Sequence, residues 1–275
     1  MARNITQLPA RLDTALRRLA LKVVPLEQLI SKERIFVIGH QKSGTTAIAA
    51  LLARAAGTTA TLDLNKPETL PLINYVYNER LPLSVFVQSN AVNFTRHIIK
   101  EPELTFIAPQ LEALFPRSRF VFVVRDPRET IRSILDRLSL PGELDELPEQ
   151  RFRALPWAWR DILDAHWLPV EDDNYVGKLA QRWCLAYEAA GQVSSNVIVV
   201  NYESFCEDKA NTIRDLAERL SLPWRDISGL VDDAYQPRGA NRGVAPDEFF
   251  SPENLERISR WCGAREVDLS PGTKL

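Results

Sequence analysis

A chain that runs Ile35-Phe36-Val37-Ile38, halts at Gly39 and enters helix-forming sequence at Thr45 has few folds open to it. An apolar run without alternation reads as a strand buried on both faces, and such strands belong to parallel sheets covered by helices. Between strand and helix lies Gly39-His40-Gln41-Lys42-Ser43-Gly44-Thr45-Thr46, after which Ile48, Leu51, Leu52 and Ala55 recur at helical spacing. The first N–H groups of a helix lack intrahelical partners and carry the positive end of its macrodipole. A strand-loop-helix unit of this composition is therefore an anion site.

Further apolar runs follow at Ile98-Ile99, Phe120 to Val124 and Val197 to Val200. Helix-period sequence separates them, over Thr45 to Ala56, Leu104 to Phe115, Pro127 to Leu138, Tyr175 to Ala190, Asn211 to Leu220 and Pro252 to Cys262. The alternation predicts an α/β fold: a single domain spanning 1–275, with a central parallel sheet flanked by helices, of P-loop type. Residues 1–30 are expected to add an amphipathic helix, with Leu8, Leu12, Leu16, Leu19 and Val23 along one stripe. Residues 140–175 open on a tract rich in proline, glycine and acids and contain Trp157, Trp159 and Trp167; they read as an insertion or lid near the acceptor site.

Composition narrows the function mainly by exclusion. A net charge of -2 and a pI near 6.0 give no general attraction to nucleic acid, so an anionic ligand must be held by locally placed cations. Cys184, Cys206 and Cys262 are odd in number, widely spaced and lack a CxxC pair, which predicts a reducing, cytoplasmic setting and no zinc. Near the N-terminus Arg17, Arg18, Lys22 and Pro25 interrupt every apolar stretch, so no membrane span is expected. The oligomeric state, a homodimer among the options, is not written in the sequence.

In the phosphate loop, Ser43, Thr45 and Thr46 add hydroxyl donors, and Lys42 adds a movable charge for an oxygen that gains charge as a bond breaks. An NTPase loop, GxxxxGK[ST], places lysine after its second glycine with a magnesium-binding hydroxyl beside it; here Lys42 precedes Gly44 by two residues. A second strand-to-helix junction reads Arg125-Asp126-Pro127-Arg128-Glu129-Thr130-Ile131-Arg132-Ser133. Asp126 is explained as an N-cap, with Pro127 at the first helical position and Glu129 completing a capping box. Arg125, at the carboxyl end of a buried strand, has no such explanation and points to a second anion.

These two elements resemble the nucleotide motifs of sulfotransferases that use 3′-phosphoadenosine 5′-phosphosulfate (PAPS). The first loop is similar to their 5′-phosphosulfate loop, Pro-Lys-Ser-Gly-Thr-Thr, with Gln41 where proline is common. The resemblance implies PAPS as donor and adenosine 3′,5′-bisphosphate (PAP) as product, with no metal. It implies that Gln41, Lys42, Ser43, Gly44, Thr45 and Thr46 cradle the 5′ group and that Arg125 and Ser133 hold the 3′-phosphate. Arg242-Gly243 would reach that phosphate too, although the lysine of the family's Arg-Lys-Gly element is absent. Tyr202, after the Val197 to Val200 strand, stands where the family often has an aromatic near adenine; a plain strand-end tyrosine is the alternative.

The same resemblance gives Lys42 the leaving oxygen and makes Lys100, in Lys100-Glu101-Pro102, a second catalytic lysine. Cytosolic members carry Lys-Thr-His there, so their histidine base is missing. In carboxylate-using members the base follows the first helix at about the distance of Asp63, which ranks ahead of Glu101 and His97. His40 would support the loop or touch the acceptor, and His166 reads as packed. The tryptophans, Trp183 included, read as core or as a wall for the acceptor. The expected function is sulfuryl transfer to a hydroxyl or amine, with a small-molecule acceptor preferred. A P-loop kinase and a non-catalytic nucleotide-binding or interaction domain are the alternatives.

Overall fold

A computed structural model describes residues 27, 30, 32–64, 69–193, 197–233, 235, 241 and 243–263. The expected helix over 8–24 and Arg242 lie outside them. Five strands form one sheet: β1 (Ile35–Gly39), β2 (Ala60–Thr61), β3 (Ile98–Lys100), β4 (Arg119–Val124) and β5 (Val197–Asn201). Their spatial order is β2-β3-β1-β4-β5 and every pairing is parallel. The chain moves outward on the β3 side, returns, crosses β1 and continues on the β4 side, so the direction of winding reverses beside β1. In open α/β sheets the ligand crevice lies at that reversal, at the carboxyl ends of the strands.

Alternation within the strands splits the core. Phe36, Ile38, Phe120 and Phe122 face one side, where Phe36 stacks on Phe120 with ring centroids 5.3 Å apart. Ile35, Val37, Val121 and Val123 face the other, against α1 (Thr45–Ala56). Burial on both sides is what the unbroken apolar run required.

The middle of the chain departs from expectation. The single helix predicted over Leu104 to Phe115 is a 3₁₀ segment, Pro102–Ile107, followed by a short α-helix, Ala108–Leu114. Pro109 has no N–H to extend an earlier helix and a ring suited to the first turn of a new one, so the helix restarts there. Three helices before β3 were not anticipated: α2 (Thr69–Tyr77), α3 (Leu83–Ser89) and α4 (Ala91–Phe94). Continuing the numbering, α5 is Ala108–Leu114, α6 is Pro127–Arg137, α7 is Glu149–Ala154, α8 is Trp157–Asp164 and α9 is Tyr175–Gly191. After β5 come α10 (Tyr202–Glu207), α11 (Lys209–Arg219), α12 (Pro246–Phe249) and α13 (Pro252–Cys262). Asp126 caps α6, accepting from the N–H groups of Arg128 at 2.8 Å and Glu129 at 3.2 Å. Helix α9 crosses the Phe36 face, and α13 packs on α9 and α6.

Candidate active site

The phosphate loop leaves β1 through Gly39, which only glycine can occupy: φ is +145° and an added Cβ would meet the Val123 carbonyl oxygen at 2.5 Å. Thr105 grips the same residue twice, accepting from the Gly39 N–H at 2.8 Å and donating to its carbonyl at 3.1 Å. Ser43 Oγ donates to the His40 carbonyl at 2.6 Å, closing the turn, and Gly44 caps α1 with φ +97°. Lys42 itself adopts a left-handed conformation, φ +67°. For a residue with a Cβ this costs on the order of 1 kcal/mol or more, and such strain gathers at binding sites.

Lys42 is held below the ordinary lysine range, by burial first and then by the positive charges of Arg137, Arg125 and Lys100, with Asp136 opposing. Cations gathered this closely beside a helix N-terminus suit a polyanion. Arg137 was not singled out from the sequence; the available signal was its spacing one turn after Ser133 on α6.

Arg125 sits between the two halves of the site. Its Nη1 donates to the Lys42 carbonyl at 3.0 Å and its Nη2 to Glu129 at 3.0 Å, while Nε has no hydrogen-bond partner. Its guanidinium lies 4.7 Å over the Tyr202 ring. Tyr202 opens α10, and its ring packs so closely on Gly44 that a Cβ there would meet it at 2.2 Å. From below, the Trp183 indole N–H donates to the Arg125 carbonyl at 3.1 Å, and the indole stacks on Tyr187 at 5.8 Å. Trp183 is core, and it supports the second grip.

Ser133 is half-buried on α6. The late segment docks beside it: Arg132 Nη1 donates to the Asn241 carbonyl at 2.6 Å and the Asn241 N–H donates to Asp136 at 3.0 Å. Gly243 follows, and an added Cβ there would meet nothing within 4 Å.

Lys100, at the carboxyl end of β3, pairs with Asp63, Nζ to Oδ1 2.6 Å; the lysine side chain is 3% exposed and the aspartate 46%. Glu101 is buried, accepts from the Leu64 N–H at 3.1 Å and thereby fastens the segment next to Asp63. Burial drives its carboxyl up to about 7, with the Lys100 charge opposing. His97 precedes β3, its carbonyl accepting from the Ile35 N–H at 2.9 Å, so it stands at the amino end of the sheet, opposite Lys42. His40 is enclosed and neutral, lowered to about 3 by burial and then by the Arg182 charge.

Trp167 is buried against Tyr77 and Phe106, ring centroids 5.3 Å from each, while Trp157 and Trp159 are half-buried on α8. His166 is exposed beside Asp164, 3.4 Å away. A cavity of about 780 Å³ between residues 145–147, the start of α9 and α13 has no lining residue from the phosphate loop. Among the described residues no cluster of histidine, cysteine or carboxylate groups has a metal-binding arrangement, and no helix is long and apolar enough to cross a membrane.

Fold and site together define a class: an α/β protein with a glycine-bounded loop and a helix N-terminus beside the central strand of a parallel sheet. Residues 74–226, more than half of the chain, match the profile described as the sulfotransferase family, and the chain belongs to that family. The matched span begins after the phosphate loop. Membership of the sulfotransferase family weighs against the kinase reading.

Among curated proteins the chain is similar to the protein-tyrosine sulfotransferase of Drosophila melanogaster, 23% identical over 175 residues, covering 62% of this chain and 30% of that one. It is likewise similar to protein-tyrosine sulfotransferase A of Caenorhabditis elegans, 23% identical over 176 residues, with 62% and 40% covered. The chain thus spans less than half the length of these relatives. Among solved structures it is similar to a sulfotransferase from Mycobacterium tuberculosis, TM-score 0.47, 16% identity, 89% and 81% of the two chains covered. The sulfotransferase domain of the curacin biosynthetic pathway gives a TM-score of 0.44 with 16% identity, 83% and 90% covered.

One expectation is overturned. The cytoplasmic setting inferred from three unpaired cysteines does not stand, because the curated relatives are protein-tyrosine sulfotransferases. Cysteine count reports redox setting only when the thiols are numerous enough to form a framework, and three in 275 residues are too few.

Proposed function

We propose that the chain transfers the sulfuryl group of PAPS to a hydroxyl acceptor by in-line displacement. The observation that supports this best is the joining of two anion grips through Arg125, whose guanidinium donates to the carbonyl of Lys42 in the first while standing at the head of the helix that carries Ser133 and Arg137 in the second. A nucleotide phosphorylated at both its 5′ and 3′ positions fits that spacing of charge. In this reading Gln41 to Thr46 cradle the 5′ group, Arg125, Ser133 and Arg137 face the 3′-phosphate, Arg242-Gly243 are assigned to the same phosphate by resemblance alone, and Tyr202 flanks the base.

Lys42 lies in the loop that follows β1 and Lys100 ends the neighbouring β3, and the Lys100 charge is among those that hold Lys42 below the ordinary lysine range. Lys42 stabilises charge on the oxygen that leaves with PAP, and Lys100 faces the moving group and holds Asp63. Asp63 accepts the acceptor's proton as the new oxygen-sulfur bond forms and the old one breaks. Glu101 is enclosed and spent on Leu64, so it is assigned to support rather than to proton transfer. The acceptor we favour is a tyrosine hydroxyl in a peptide, on the strength of the curated relatives' names; the preference for a small molecule rested on the expectation of a soluble chain without targeting signals.

Calorimetry with PAP in the absence of magnesium tests the donor half. Arg125→Ala is expected to weaken PAP by ~10-fold or more, the scale of a charged hydrogen bond, and adenosine 5′-phosphate much less. Equal binding of both nucleotides to the parent chain refutes the donor assignment. Release of PAP from PAPS in the presence of a tyrosine peptide, but not of simple alcohols or phenols, tests the acceptor, with Lys42→Ala as control.

A further inference from the structure

We propose that Cys184 and Cys262 form a disulfide that ties α13 to α9. Their sulfurs stand 3.5 Å apart and the residues are 5% and 6% exposed. Nothing in the sequence brings them together, since 78 positions separate them. Cys206 is exposed, so the odd count resolves into one surface thiol and one enclosed pair. Each sulfur also rests on backbone of the opposite helix: Cys184 Sγ lies 3.2 Å from the Trp261 carbonyl and Cys262 Sγ 3.6 Å from the Ala180 carbonyl. The two helices thus bring the sulfurs into contact, and the bond requires them to close to about 2.05 Å. Cys262 occupies the last turn of α13, where opening is easiest and gives an oxidant access.

The oxidant is a small-molecule disulfide, of which oxidised glutathione is the simplest. One cysteine thiolate attacks it, expelling a glutathione thiolate and leaving a mixed disulfide. The second cysteine thiolate attacks the protein sulfur of that bond and expels the other glutathione. Two protein thiols give up two protons and two electrons, and the oxidant becomes two thiols. The bond would anchor α13 to the helix whose preceding residues, Arg182 and Trp183, hold Glu103 and the Arg125 carbonyl. The inference concerns thiol chemistry and does not depend on the donor or the acceptor.

The full chain carrying Cys206→Ser is the sample, because tryptic fragment 183–209 otherwise contains two cysteines. The folded protein is incubated with oxidised glutathione, remaining thiols are alkylated, and digestion is carried out without reductant. Fragment 183–209 joined to fragment 261–265, lighter by two hydrogens and carrying no glutathione, is the expected product. Its melting temperature should rise and return on reduction, because a long loop of the unfolded chain is closed. Both fragments recovered alkylated, or each bearing its own glutathione, overturns the proposal.

Discussion

Arg182 donates from one nitrogen, Nη2, to both carboxylate oxygens of Glu103, at 2.6 and 2.7 Å, with both side chains enclosed. Gln41 Nε2 donates to the same carboxylate. A residue of the phosphate loop is therefore tied, through the 3₁₀ segment after Lys100, to the middle of α9. The guanidinium is covered by Phe106 at 4.6 Å and Trp167 at 5.4 Å. Where the resembled loop has a proline ring to stiffen it, this chain has a glutamine held by a buried ion pair.

The pair makes a sharp stability prediction. Removing one member leaves the other charge buried and unpaired, which costs ~3–5 kcal/mol, whereas replacing both by apolar groups is close to neutral. Arg182→Met should lower the unfolding free energy obtained from urea titration by that amount, and Arg182→Met with Glu103→Leu should recover most of it. A single variant within ~1 kcal/mol of the parent would mean that the pair is solvated in solution.

Glu101 should make stability fall as pH rises. Its folded value, about 7, lies above the unfolded 4.5, so between those values the folded state binds more protons than the unfolded one. Stability is then lost across that window and is flat above it, with a span on the order of 1–3 kcal/mol for a fully enclosed group. Glu101→Gln retains an oxygen for the Leu64 N–H and should remove that part of the slope, leaving the variant more stable than the parent at pH 8. Urea unfolding at pH 5 and pH 8 measures both; parallel slopes for the two proteins would contradict the burial.

Gly44→Ala tests the contact between the two halves of the site. The new Cβ would meet the Tyr202 ring at 2.2 Å on backbone with φ +97°, so Tyr202 must move and take Arg125 with it. PAP affinity should drop by ~10-fold or more, about 1.4 kcal/mol. Adding Tyr202→Ala removes the clash but not the backbone strain, so affinity should return only in part.

What the sequence disclosed, and what it withheld, follows from the range of the interactions. The strands at Ile35, Phe120 and Val197 were legible because burial on both faces leaves an unbroken apolar run. Asp126 with Pro127 marked the start of α6 because capping acts within three residues. The break at Pro109 was missed because apolar spacing across 104–115 outweighed the proline. Glu103 and Arg182 gave no signal at all, since each is an ordinary charged residue until a partner 79 positions away encloses it. Cys184 and Cys262 were hidden for the same reason. Asp63 was reachable only through resemblance, and its 2.6 Å contact with Lys100 is a product of the sheet order that places β2 next to β3.

That contact separates proton transfer from nucleotide binding. Asp63 is 46% exposed but Lys100 only 3%, so Asp63→Asn leaves an enclosed ammonium with an amide oxygen as acceptor, and stability should fall by ~1–3 kcal/mol, the scale of a weakened charged hydrogen bond. The amide cannot accept the acceptor's proton, so turnover should fall by ~10² to 10⁴-fold while PAP affinity stays within ~3-fold, about 0.7 kcal/mol. Lys100→Ala should instead reduce both, because it removes a charge from the site that binds the nucleotide as well as the partner that aims Asp63. Turnover of Asp63→Asn close to that of the parent, measured as PAP released with a working acceptor, would move the base to another residue.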